Sequence, residues 1–225
     1  MTLLLDNLNA LAGGLFLITA FGIIATRQVQ DCLRFFIFQS IFLAVSAFVL
    51  GAVSHSWHLI AVGGITLITK PVLIPWVLRK LVREEVYTHR EITQIVNIPA
   101  SLIIALVLTI GAYFVSLPWL QAVSVSGAIR VNVPIGLAGL LLGAYTLTVR
   151  REAVPQILGI LAMENGAFFA GVAIAPKLPL IAELAVAFDV LILAFVVGIL
   201  TRIIHERIGT TTVGNLTNLR EEPRR

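Results

Sequence analysis

Long apolar runs alternate along this chain with short groups of polar residues, and the lengths of the runs predict the elements. Seven runs of about 18 to 25 residues stand near 8–26, 35–53, 57–78, 97–115, 132–149, 154–174 and 178–203, the length a helix needs to cross a hydrocarbon core of about 30 Å. The pattern predicts an all-α polytopic membrane protein with seven transmembrane helices.

Composition supports that reading. Of the 225 residues 58% are hydrophobic and 12% charged, and the mean hydropathy is +0.98, which excludes an ordinary water-soluble globule. The N-terminal MTLLLDNLNA carries Asp6 where a secretory signal has basic residues, so the first run is expected to remain as a span. Cys32 is the single cysteine. It excludes an intrachain disulfide and any CxxC-type metal or cluster site.

Charge supplies direction. Arg27 and Arg34 fall in the first predicted loop, Arg79, Lys80, Arg83 and Arg90 in the third, and Arg150 and Arg151 in the fifth, while Arg202, Arg207, Arg220, Arg224 and Arg225 follow the last span. Only Arg130 and Lys177 fall on the other side. The excess of basic residues in cytoplasmic loops then places the N-terminus outside and the C-terminus in the cytoplasm. An even number of spans would scramble this asymmetry. The net charge of +4 mostly reflects it, and no nucleic-acid binding is read from it.

The organisation is expected to be a three-helix unit with its cytoplasmic loop (1–95), a linker span (96–130), a second three-helix unit (131–209) and a cytoplasmic tail (210–225). LAGGLFLITAFGIIATRQ (11–28) is echoed by LAGLLLGAYTLTVRRE (137–152), and HLIAVGGITLITK (58–70) by PLIAELAVAFDVL (179–191), an offset of about 121 to 126 residues. A parallel three-helix repeat around a linker helix would produce such echoes, as would chance in low-complexity membrane sequence. Parallel repeats are a transporter device.

Four charged residues fall inside predicted spans: Lys70, Glu164, Glu183 and Asp189. An ionised group at the bilayer centre costs roughly 2.5 to 3.5 kcal/mol on insertion scales, so such residues turn to the protein interior and mark ion or proton paths. Glu164, Asp189 and Lys70 lie about halfway along their spans. The order Glu183, Asp189, Glu164, Lys70 offers stepping stones for protons, because burial raises a carboxyl pKa and a nearby ammonium lowers it again. The competing reading is a structural ion pair between Lys70 and one of the acids. Pro71 and Pro75 predict a kink at Lys70, since neither donates a helical hydrogen bond.

The remaining features are weaker. His55 and His58 flank Trp57 at a predicted boundary, which favours an interfacial role over a metal site. Gly136, Gly139 and Gly143 predict close helix packing, with a partner helix either internal or on another subunit. The loop 79–94 carries both signs of charge. No P-loop, nucleophile elbow or metalloprotease motif is present, so nothing points to a self-contained enzyme.

LITKPVLIPW (67–76), LAMENG (161–166), ELAVAFDVLILAF (183–195) and VGNLTNLRE (213–221) together resemble component E of hydrogenase-4, a membrane subunit of formate hydrogenlyase and related energy-converting hydrogenases. The resemblance covers nearly the whole chain. The last three spans are also similar to the K subunit of respiratory complex I and to the C subunit of multisubunit cation/proton antiporters. Glu164 falls where that subunit has its middle-helix glutamate, and Asp189 where it has a second glutamate. Lys70 lies in the N-terminal unit, which those short subunits lack.

The resemblance implies a non-catalytic subunit in the cytoplasmic (inner) membrane, surrounded by phospholipid. Antiporter-like membrane subunits, a complex I-like membrane anchor subunit, and peripheral hydrogenase and iron-sulfur subunits would be its partners. It implies no cofactor in this chain, with a nickel-iron centre and iron-sulfur clusters in partner subunits. Three functions stay open: a proton relay coupled to electron transfer, a structural subunit whose charges pin helices beside antiporter-like neighbours (or one of a cation/proton antiporter), and a stand-alone transporter.

Overall fold

The structure is a computed structural model that describes residues 2–81, 94–122 and 127–174 together with positions 191 and 198. All elements among these residues are helical: α1 (Thr2–Ala25), α2 (Val29–Val53), α3 (Trp57–Ile68), a π-helical turn (Thr69–Leu73), α4 (Ile74–Leu81), α5 (Ile98–Ala122), α6 (Gly127–Val149) and α7 (Ala153–Ile174). The chain is thus an all-α membrane protein.

Five helical segments among the described residues are long and apolar enough to cross a membrane: Leu3–Ala25, Val29–Val53, Trp57–Trp76, Ile98–Pro118 and Arg130–Val149. At 22 residues α7 is of similar length, but Glu164 and Asn165 interrupt its apolar run at the middle. The seventh predicted span lies outside the described residues apart from Leu191 and Gly198, as do the loop at 82–93 and the tail.

Several boundaries move. Helix α2 begins at Val29, so Arg34 stands on the helix and not in a loop, exposed and paired with Asp31 at 3.0 Å. Helix α6 begins at Gly127 and runs through the predicted division at residue 130. Asn97 accepts a hydrogen bond from Ala100 N at 3.0 Å and so starts α5 as a cap.

Glycines set a backbone-to-backbone contact between α6 and α7. Gly136, Gly139 and Gly143 of α6 face Gly159 and Gly166 of the antiparallel α7. A Cβ on Gly136, Gly143, Gly159 or Gly166 would lie under 3.0 Å from atoms of the facing helix. The partner of the glycine face is therefore internal, the next helix in the chain. Small residues let membrane helices approach until backbone meets backbone, where dispersion and polar contacts replace the missing hydrophobic drive.

Across the molecule, α1 runs parallel to α6, and α2 parallel to α7. Asn9 bonds to Asn132 near one end of the first pair, and Arg150 bonds to Ile23 near the other. Asn165 bonds to Gln39 and Ser40 midway along the second pair, and Val172 packs with Ala47 further on. The α5 span is the least covered of the five, with Ile103, Val107, Phe114 and Val115 all turned outward.

Candidate functional site

Lys70 occupies the π-helical turn. Pro71 and Pro75 each remove a backbone donor, and the helix widens to i→i+5 bonding for one turn before α4 resumes. The predicted kink is thus realised as a π turn, a form often found at functional sites. The lysine is only 1% exposed.

Its ammonium donates to Glu164 Oε1 of α7 at 3.0 Å and stands 5.4 Å from the centroid of the Phe168 ring, within the range of a cation–π contact. The second carboxylate oxygen, Oε2, is buried with no hydrogen-bond partner among the described residues. Two of the four charged residues singled out in the sequence therefore meet, across 94 positions of chain. Glu183 and Asp189 lie outside the described residues. Leu191, just beyond Asp189, packs against the cluster that holds Phe36, Leu78, Leu161 and Ala162.

Next to Glu164 along α7, Asn165 reaches into α2. Its Nδ2 donates to Ser40 Oγ at 3.0 Å and to Gln39 Oε1 at 3.3 Å. Helix α2 touches both α7 and the π turn, so lysine, carboxylate and amides belong to one three-way junction.

A second polar group joins α1, α2 and α6. Asn9 Nδ2 donates to Asn132 Oδ1 at 2.8 Å, Asn132 Nδ2 donates to Ser46 Oγ at 3.0 Å, and Ser46 Oγ donates to Asn9 Oδ1 at 2.7 Å. All three residues are buried, and the ring closes on itself.

Arg150 lies in the predicted connection, between α6 and α7, and is buried there. Its Nη2 donates to the carbonyls of Ile23, Ile24 and Thr26 at 2.8, 3.0 and 2.9 Å, the acceptors that the end of α1 leaves open. The Gln94 amide oxygen accepts from the same guanidinium, while its nitrogen donates to Val96 O at 3.1 Å. Burial pulls the Arg150 pKa down, with Cys32, Glu152 and Tyr145 acting the other way. A cation capping the negative end of a helix is electrostatically favoured.

Gln39, Asn165, Asn9, Ser46 and Asn132 escaped a search of the spans for charges. Neutral polar residues in apolar runs were the available signal, and Asn9 and Asn132 are separated by 123 positions, the offset of the repeated segments. Among the described residues no three His, Cys, Asp or Glu side chains gather to hold a metal ion.

The chain is 31% identical over 211 residues to an uncharacterised protein of Mycobacterium tuberculosis, an alignment that covers 93% of this chain and 94% of that one. The chain belongs to one family with that protein. It is also 27% identical over 223 residues to hydrogenase-4 component E of Escherichia coli K12 and of Shigella flexneri, covering 94% of this chain and 96% of theirs. This distant homology over nearly the full length supports the family that the four motifs indicate. No family profile and no solved structure matches the chain.

Proposed function

We propose that this protein is a proton-translocating membrane subunit of a hydrogenase-type complex, in which Glu164 and Lys70 exchange protons near the midplane as electrons pass through partner subunits. The observation that carries the proposal is the 3.0 Å contact between Lys70 and Glu164 at a π turn, with Glu164 Oε2 left unpartnered. A structural ion pair gains most when every oxygen is satisfied. Here one oxygen holds the lysine and the other stays available to a proton.

The charges make the pair responsive. Protonating Glu164 removes the negative charge that faces the Lys70 ammonium, which is buried at 1% exposure. The charge state of one group is therefore felt at the other across their 3.0 Å contact. Asp189 and Glu183 extend the path along the last span in this reading.

The wider assignment rests on the named homologue. The complex would be of the formate hydrogenlyase or energy-converting hydrogenase kind, in the cytoplasmic membrane, with the N-terminus outside and the C-terminus in the cytoplasm. Antiporter-like subunits, a complex I-like anchor subunit, and peripheral nickel-iron hydrogenase and iron-sulfur subunits would be the partners, and this chain would carry no cofactor. The register of α1 on α6 and of α2 on α7 supports two parallel three-helix units around α5, the second of them complex I K-subunit-like.

Glu164→Gln in the assembled complex tests the proposal. Proton movement per electron should fall to background while electron transfer to hydrogen continues; unimpaired coupling sinks the relay. A second reading, a structural subunit, draws on the closed Asn9–Ser46–Asn132 ring and on the ion pair itself. It expects Glu164→Gln to lower assembly yield while the complex that assembles pumps normally.

A further inference from the structure

A relay through Glu164 needs a partner for the carboxylate besides Lys70. Three buried polar atoms at the junction of α2, α7 and the π turn have no hydrogen-bond partner among the described residues: Gln39 Nε2, Glu164 Oε2 and Asn165 Oδ1. Gln39 and Asn165 are both fully buried, at 0% exposure.

One hydroxyl sets how the amides point. Ser40 Oγ donates its hydrogen to Phe36 O at 3.0 Å, so toward Asn165 it can only accept, which fixes Asn165 Nδ2 as the donor. That same nitrogen donates to Gln39 Oε1, which fixes the Gln39 amide in turn. The groups left over are one donor and two acceptors.

Leaving a buried polar group unpaired costs about 1 to 3 kcal/mol, and here three such atoms come from neighbouring side chains. The same chain closes the Asn9–Ser46–Asn132 ring, one element removed, with every member bonded. A water molecule has the complementary set, a lone pair for the Gln39 N–H and two hydrogens for Glu164 and Asn165, and buried waters characteristically make about three such bonds.

We infer that this junction is a buried water site, and that Gln39 and Asn165 are positioning residues that hold its water against Glu164 Oε2. A proton arriving from the aqueous phase forms an O–H bond to the water oxygen. The water passes another of its hydrogens to Oε2 and is left neutral, and Glu164 becomes an uncharged acid. The inference rests on the relay reading only for the use made of the water.

Water-edited solid-state NMR on the full chain in lipid bilayers, with labelled Asn and Gln side chains, tests it. Magnetisation from water should reach the Gln39 and Asn165 amides, while the Asn9 and Asn132 amides serve as a dry internal standard. A Gln39 amide as dry as Asn9 overturns the site. Gln39→Met keeps the side-chain length and removes the donor together with the Oε1 acceptor of Asn165; the water signal at Asn165 should fall by up to about tenfold, the scale set by one lost hydrogen bond, and an unchanged signal overturns the site. Where that variant does not fold, the wild-type comparison decides alone. Normal pumping by Glu164→Gln would sink the relay and leave the hydration result standing, so the two failures are distinguishable.

Discussion

The two polar groups inside this membrane protein use similar side chains to opposite ends. Asn9, Ser46 and Asn132 form a ring in which each amide and hydroxyl is spent on its neighbours. Roughly 10 Å along α2, by the rise of seven residues, Gln39, Ser40, Asn165, Glu164 and Lys70 make a group with hydrogen-bonding capacity left over. In hydrocarbon an unmet polar group is costly, so a closed set holds helices together and an open set is kept for something that visits. The difference teaches that the mere presence of polar residues in spans says little; their remaining valence says more.

The comparison can be broken most sharply at the ion pair. Lys70→Met leaves Glu164 charged and unpaired in a buried setting and should destabilise the folded chain by about 3 to 5 kcal/mol, whereas Lys70→Met with Glu164→Leu should recover most of that loss. Unfolding in bilayers or detergent reads both. A single variant as stable as wild type would show that the pair carries no structural weight.

Next in size is the glycine seam. Gly166→Ala puts a methyl into the backbone of α6 at Leu140 and Gly139, and overpacking of this kind costs about 1 to 3 kcal/mol. Because α6 carries Asn132 and α7 carries Asn165, the substitution should disturb ring and junction together, visible as shifted amide resonances of both. Disturbance of the junction alone would mean that the helices do not move as a unit.

Asn132→Leu opens the ring and should cost about 1 to 2 kcal/mol, given the modest worth of interhelical hydrogen bonds in membranes. Proton coupling in the assembled complex should be unchanged. A coupling defect larger than the stability defect would place the ring in the proton path and erase the distinction drawn above. The smallest effect is expected from Ser40→Ala, about 0.6 kcal/mol, but with its hydroxyl gone Asn165 is free to turn over. The water signal at Gln39 should therefore change more than the stability does.

Much of this was legible in the chain. All six described apolar runs became helices, because run length and the absence of competing turn residues leave a lipid-embedded backbone no other way to satisfy its hydrogen bonds. Lys70 and Glu164 stood out because charge in such runs is costly, and the glycine face of α6 was readable from its spacing. Arg150 stands in the loop where the chain predicts it, between α6 and α7, but sequence position alone does not tell a solvated arginine from one that caps a buried helix end. The neutral amides gave a weaker signal still.

What the sequence by itself determined is an all-α membrane protein in which Glu164 and Lys70 turn to the interior, because both conclusions follow from transfer free energies that each residue carries with it. Only the tertiary structure decided which side chains share a bond. Lys70 and Glu164 are 94 positions apart, and Asn9 and Asn132 are 123 apart. Their pairing depends on the parallel seating of α1 on α6 and α2 on α7, which in turn depends on backbone approach at the glycine seam. Hydrogen-bond valence is a property of neighbours, and neighbours across a bundle are set by packing.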